Sequence, residues 1–264
     1  MVIGFIGGGN MAEAMIKGIV QSGLKDIIVS EPRDDRRAYL EKTYGIKVSP
    51  DNREIVRNSH IIILAVKPQN MDDVTNGITD LISNDKIIIS IAAGITLSYL
   101  SSRLNKTSKI IRVMPNTPAL VQEGMSVLSM FECIADKEMV FIRDIFMSIG
   151  KVLVLPEKYM DAVTALSGSG PAFIALFVES MIEAGVAVGL SRENAAELAI
   201  QTLIGTAKLL ETGMPPDKLR EMVTSPGGTT AAGLGVFEQK GLKNIVTAVI
   251  EAARDRSKEL GRKE

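Results

Sequence analysis

An α/β domain with a mostly parallel sheet, followed by an all-α domain, is the architecture this sequence predicts. Short runs rich in Val and Ile alternate with polar, helix-length stretches through the first half of the chain. That is the order expected when helices cover both faces of a parallel sheet. The alternation stops after about Leu155, and the remainder reads as helices. A glycine-rich turn at Gly7-Gly8-Gly9 joins the first apolar run to the first helical stretch.

Taken in order, residues 2–6 form the first strand, and a helix over 11–22 is stopped by Gly23. A strand at 27–30 and a helix at 34–44 follow, then strands at 61–66, 86–91 and 109–113. These strands are apolar almost throughout, as strands covered on both faces must be. Further strands at 124–130 and 152–155 flank a helix near 136–148. Helices are then expected at 161–166, 171–190, 192–212, 216–222, 229–239 and 242–260. Pro171 and Pro216 suit the first turn of a helix, where a missing N–H costs nothing. Ser191 is an N-cap residue type in the right place. The change of pattern near 155–159 divides the chain into domains of 1–157 and 158–264.

Composition narrows the function classes. Of 264 residues, 46% are hydrophobic but only 4% aromatic, with no Trp, so the core must be aliphatic and Ala-rich. Thirty basic against 31 acidic residues leave a net charge of -1, which offers no global attraction to nucleic acid or to an anionic membrane. One cysteine, Cys133, and one histidine, His60, speak against a disulfide framework and a protein-built zinc centre. Cys133 is expected to be a small, half-buried residue and His60 a structural one before the 61–66 strand. The N-terminus carries neither a basic region nor a cleavage site, so a cytoplasmic protein without a signal peptide is expected. The apolar run 172–190 approaches membrane-spanning length but carries Glu179 and Glu183. Each carboxylate would cost roughly 2.5–3.5 kcal/mol at a bilayer centre, so burial against protein explains the run better.

The segment Gly4-Phe5-Ile6-Gly7-Gly8-Gly9-Asn10-Met11-Ala12 contains G-x-G-x-x-A between a strand and a helix. Gly7 permits the tight turn, Gly9 leaves room for a pyrophosphate, and Ala12 lets the helix pack closely on the sheet. The helix N-terminus adds free N–H groups and partial positive charge. This is the phosphate-binding turn of a Rossmann-type domain. Glu31 ends the second strand at the distance expected for a ribose contact and favours NADH, while Arg33, Arg36 and Arg37 can clamp the 2′-phosphate of NADPH or simply form a solvated helix face. Further signals are Ala65-Val66-Lys67-Pro68-Gln69 and Met114-Pro115-Asn116-Thr117-Pro118, each directly after a strand, and Ser167-Gly168-Ser169-Gly170-Pro171 before the apolar helix. In Thr224-Ser225-Pro226-Gly227-Gly228-Thr229-Thr230, the N–H groups of Gly227 and Gly228 can converge on a small carboxylate beside the hydroxyls of Ser225, Thr229 and Thr230. An ordinary capped interhelical loop would use the same residues.

GFIGGGNMAEAM, AVKPQ, RVMPNTPALVQEGM, ALSGSGPAF and TSPGGTTAAGL occur in one order across essentially the whole chain, and in this the sequence resembles the pyrroline-5-carboxylate reductase family. The resemblance implies reduction of 1-pyrroline-5-carboxylate to L-proline by NADPH or NADH, the last step of proline biosynthesis. It also implies a Rossmann domain, an all-α dimerisation domain, and a homodimer that further assembles as a decamer of five dimers. It assigns Ile6, Gly7, Gly9, Asn10 and Met11 to the cofactor diphosphate, Glu31 and Asn52 to the adenosine end, Ala65, Val66, Lys67 and Pro68 to the central part, and Asn116 to the nicotinamide ribose. Ser225, Gly227, Gly228 and Thr229 fall to the substrate and Thr230 to the pyrroline nitrogen. Many relatives lack an acid at the Glu31 position, which leaves the choice between NADPH and NADH open. A β-hydroxyacid dehydrogenase would need a lysine on the helix after Gly170, and Pro171-Ala172-Phe173-Ile174-Ala175-Leu176 has none. Reduction of another cyclic imine, or a non-catalytic dinucleotide-binding redox sensor, are the remaining alternatives.

Overall fold

The structure, a computed structural model, describes residues 1–104, 109–131 and 134–261; Cys133 lies outside the described residues. The chain forms two compact units, Met1–Ser169 with the C-terminal segment from Ala252, and Gly170–Glu251.

The first unit is built on an eight-stranded sheet of order β3-β2-β1-β4-β5-β6-β7-β8. The strands are β1 (Ile3–Ile6), β2 (Ile27–Ser30), β3 (Lys47–Ser49), β4 (Ile61–Leu64), β5 (Ile87–Ser90), β6 (Lys109–Met114), β7 (Gly124–Met130) and β8 (Gly150–Val154). Helices α1 (Asn10–Gln21), α2 (Asp34–Tyr44), α3 (Asn52–Asn58), α4 (Met71–Ile78), α5 (Leu97–Arg103) and α6 (Asp136–Met147) connect them. Ile61 and Ile63 of β4 enter one core with Phe5, Met15 and Phe146, while Ile62 and Leu64 enter the other with Ile6 and Leu100. Burial on both faces is why the central strands read as unbroken apolar runs. All pairings are parallel except β6 with β7. The link between those two holds only the 3₁₀ turn Thr117–Val121, too short for the crossover that a parallel pair needs.

The edge strand β3 is absent from the sequence-based expectation. Its Lys-Val-Ser has no apolar run, and it pairs only with β2. The expected strand 61–66 ends at Leu64, so Ala65 and Val66 belong to the loop above the sheet. Instead of separate helices around the Ser167–Pro171 segment, α7 (Met160–Val163) runs into a π-helical turn, Thr164–Gly168, before α8 (Gly170–Ala187). The widened turn is closed by the Ser169 N–H donating to the Thr164 carbonyl at 2.8 Å. At Gly168 a Cβ would lie 2.5 Å from the Met114 methyl, so a larger residue there would push the Met114 side chain aside.

The second unit holds α8, α9 (Arg192–Glu211), α10 (Pro216–Met222), α11 (Thr229–Gln239) and the start of α12 (Leu242–Gly261). Ser191 caps α9 by accepting from the Asn194 N–H. Helices α8 and α9 approach through small residues: a Cβ on Gly185 would meet that of Ala195 at 3.0 Å. Ala195 and Ala199 are buried, whereas Ile174, Leu176, Phe177 and Leu198 are exposed within the single chain. The helical run 157–187 is long and apolar enough to cross a membrane, and its most apolar window is unburied in this chain.

Candidate functional site

Parallel pairing in register brings the carboxyl ends of β2, β1 and β4 side by side, with Ile6 opposite both Ser30 and Leu64. Strand order reverses at β1, the place where open α/β sheets bind ligands. Gly7 turns the chain there with φ +99°, and a Cβ on it would lie 2.6 Å from the Ala65 carbonyl oxygen. The Ala65 N–H donates to the Ile6 carbonyl at 2.8 Å, so the glycine turn and the Ala65–Pro68 segment share one edge. Gly9, the N-cap of α1, has no atom within 4 Å of where its Cβ would be, and no side chain caps the helix. Open N–H groups at Gly9, Asn10 and Met11 beneath open space form a cradle that suits a pyrophosphate. Ala12 is 1% exposed and seats α1 on the sheet.

Glu31, at the end of β2, is 6% exposed. Its carboxylate accepts from the Gly8 N–H at 3.0 Å, the Arg33 N–H at 3.3 Å and the Arg33 Nε at 2.9 Å. Burial pushes this carboxyl up, but the Arg33 hydrogen bond, the backbone donors and the Arg33 charge outweigh it and hold it below the ordinary value. The three arginines behave differently. Arg37 bonds the Glu31 carbonyl at 2.5 Å and the Pro32 carbonyl at 2.8 Å and pairs with Asp34. Arg36 donates through Nε to the Gly8 carbonyl at 2.7 Å and through Nη2 to Glu13 at 2.5 Å. Arg33 alone of these keeps an exposed side chain, at 61%. Glu13 also accepts from the Tyr39 and Tyr44 hydroxyls, both at 2.8 Å. The sequence reading missed Glu13, Tyr39 and Tyr44, because contacts spanning 23 to 31 residues leave no mark in local pattern.

Asn52 opens α3, and its Oδ1 accepts from the Ser30 hydroxyl at 2.6 Å, placing it at the same edge as Glu31. Lys67 is exposed and precedes the 3₁₀ turn Pro68–Asn70. Asn116 lies past β6, where its Oδ1 accepts from the Met125 N–H at 2.8 Å and its Nδ2 donates to the Ser167 carbonyl and hydroxyl at 3.2 and 3.3 Å. Its side chain thus ties the loop to the π-helical turn.

In the second unit, Ser225-Pro226-Gly227-Gly228 makes a turn closed by the Gly228 N–H donating to the Ser225 carbonyl at 3.0 Å. Pro226 sits at its second position and Gly227, with φ +70°, at its third, as a type II turn requires. The expected convergence of both glycine N–H groups is therefore corrected: the Gly228 donor is consumed by the turn. The remaining donors are the Gly227 N–H and the first N–H groups of α11, whose N-cap Gly228 carries no side-chain cap. A Cβ on Gly228 would lie 2.4 Å from the Ser225 hydroxyl oxygen, so that hydroxyl is folded over the turn. Thr229 and Thr230 are the first residues of α11, and Thr230 is the more buried.

Residues 157–260 match the family model described as pyrroline-5-carboxylate reductase dimerisation, and residues 2–94 match one described as NADP oxidoreductase coenzyme F420-dependent. The chain is 43% identical to the pyrroline-5-carboxylate reductase of Synechocystis sp. over 99% of this chain and 98% of that one. The structure of a pyrroline-5-carboxylate reductase from Coxiella burnetii superposes with a TM-score of 0.92 at 35% identity, covering 98% of this chain and 97% of that one. The Plasmodium falciparum pyrroline carboxylate reductase with NADP bound superposes at 0.89, with 35% identity over 99% and 98%. With relatives matched from end to end, the chain belongs to the pyrroline-5-carboxylate reductase family and is an NAD(P)H-dependent oxidoreductase that reduces 1-pyrroline-5-carboxylate to L-proline.

Proposed function

We propose that the dinucleotide is held by the first domain, residues 1–157, and the imine substrate by the second, residues 158–264, with the roles divided as follows. Gly7 and Gly9 admit the pyrophosphate, which the N–H groups at Gly9, Asn10 and Met11 bind, with Ile6 forming the wall below. Glu31 and Asn52 line the adenosine end, Ala65, Val66, Lys67 and Pro68 the central part, and Asn116 the nicotinamide ribose. The reduced nicotinamide supplies the hydride. Ser225, Gly227 and Thr229 hold the substrate carboxylate through the Gly227 N–H, the first N–H groups of α11 and the two hydroxyls, while Gly228 contributes as the N-cap that leaves that helix end open. The Thr230 hydroxyl oxygen accepts a hydrogen bond from the protonated ring nitrogen and so fixes which atom faces the hydride donor. No strong side-chain acid is needed, because the protonated iminium is already electrophilic.

The observation that carries this reading is the uncapped N-terminus of α11 behind a rigid Pro-Gly turn. The apolar faces of α8 and α9 support a homodimer, with assembly into a decamer and a cytoplasmic location proposed alongside. The test is Thr230→Ala beside Thr230→Ser. Turnover should fall roughly 10²-fold or more in the first and substantially recover in the second, while the dissociation constant for the cofactor stays put, as expected for an interaction made at the reacting centre. Wild-type turnover in Thr230→Ala would remove Thr230 from the mechanism.

A further inference from the structure

Arg36 does something other than meet a 2′-phosphate. Its side chain is 15% exposed and its guanidinium is engaged at two points, with Nε on the Gly8 carbonyl and Nη2 on Glu13. Glu13 is held in turn by two tyrosine hydroxyls, and the Arg36 guanidinium lies 5.1 Å from the centre of the Tyr39 ring. Burial pushes the Glu13 carboxyl up, yet hydrogen bonds from Tyr44, Arg36 and Tyr39 and the Arg36 charge bring it below its ordinary value, so it is anionic at neutral pH. Burial and Glu13 together push the Tyr44 hydroxyl up, which keeps it a donor.

The target of this network is the peptide between Gly8 and Gly9. A trans peptide is planar, with its C=O and N–H pointing in opposite directions. No cis peptide occurs among the described residues. Holding the Gly8 oxygen on the α2 side therefore drives the Gly9 N–H the opposite way. A Cβ on Gly9 would meet nothing within 4 Å, and Gly9 stands at the uncapped N-terminus of α1. A charge-assisted bond to the carbonyl also polarises the peptide and strengthens its N–H as a donor. The preceding peptide is fixed independently, by the Gly8 N–H on Glu31.

We propose that Arg36, oriented by Glu13, is a positioning residue for pyrophosphate binding: it aims the Gly9 N–H and acts alike on NADH and NADPH. The proposal rests on the assignment of the dinucleotide to the glycine turn. The hydrogen-bond partners of Arg36 lie on α1 and in the turn itself, which makes its role one of positioning.

The experiment is calorimetric titration of the wild-type protein, Arg36→Met, Arg36→Lys and Glu13→Gln with NADH and with NADPH, alongside melting curves and steady-state rates. In Arg36→Met both dissociation constants should rise about tenfold, the scale of one lost charge-assisted hydrogen bond. Turnover at saturating cofactor should remain at the wild-type level. Arg36→Lys should fail to restore binding, since one ammonium cannot serve the carbonyl and the carboxylate in the same fork. Glu13→Gln should show a smaller rise, and combining it with Arg36→Met should add little. A loss confined to NADPH would overturn the proposal by making Arg36 a phosphate clamp. A lowered melting temperature with both affinities unchanged would overturn it by making the network purely structural. Failure of the wild-type protein to bind either dinucleotide would instead sink the cofactor assignment beneath it.

Discussion

Gly7 and Gly9 lie two residues apart, yet substituting each by Ala should break different things. At Gly9 the backbone is extended, with φ -70° and ψ -176°, which any L-residue adopts, and a Cβ meets nothing within 4 Å. Replacing Gly by Ala at an N-cap costs about 0.5–1 kcal/mol. The less flexible unfolded chain offsets about 0.4–1 kcal/mol of that. The melting temperature of Gly9→Ala should therefore stay within about 2 °C of wild type, at roughly 2–4 °C per kcal/mol for a chain of this size. The methyl group stands instead where the pyrophosphate approaches. Overpacking by one methyl costs about 1–3 kcal/mol, a rise in the cofactor dissociation constant of roughly 5- to 150-fold. At Gly7 the order reverses. A Cβ there lies 2.6 Å from the Ala65 carbonyl oxygen, on backbone that cannot swing away, and φ +99° disfavours any side chain. About 3 kcal/mol of lost stability, or a fall of roughly 6–12 °C, is expected. Fluorescence titration of reduced cofactor and differential scanning calorimetry on both variants read the two effects apart. Unchanged cofactor affinity in Gly9→Ala, or a collapse of its melting temperature matching that of Gly7→Ala, would refute the reasoning.

Removing the exposed Arg33 side chain should lower stability modestly, because the mostly buried Glu31 carboxylate loses its Nε partner but keeps the Gly8 and Arg33 backbone N–H donors. Arg33→Ala should raise KM for NADPH well above any change for NADH, because Arg33 is the arginine with a side chain open to a 2′-phosphate; equal changes for both cofactors would contradict this assignment. Acid should destabilise the first unit through Glu13 and Glu31. Both carboxyls are held below 4.5 in the folded chain, so their contribution is present above that pH and is lost as pH falls through the depressed values. Urea denaturation from pH 7 to pH 3 should show a drop beginning below about pH 4.5, and Glu13→Gln should blunt it. An identical acid profile in that variant would exclude Glu13 as a source.

What could be read from sequence was what local chemistry dictates. Gly7, Gly9 and Ala12 each answer a constraint within a few residues, and the structure meets each with a positive φ, an open space and a buried methyl. The same holds for Pro226 and Gly227, whose types suit a type II turn. Which N–H that turn consumes depends on its closure and was not legible. The edge strand β3 escaped notice because three residues, only one apolar, carry no period. Arg36 looked like one cation on a polar helix; its bond to Gly8 spans 28 residues and exists only once α2 has packed. The excess of exposed apolar residues on α8 was legible as burial sought outside a single chain, because its composition exceeds what one helical unit can cover.

The most direct test is the initial rate of NADPH and of NADH oxidation, run in parallel with 1-pyrroline-5-carboxylate as the varied substrate and the product identified by chromatography. The account predicts turnover with both cofactors, one L-proline formed per cofactor oxidised, and a preference that Arg33→Ala shifts toward NADH. Cofactor binding without formation of proline by either dinucleotide would contradict it.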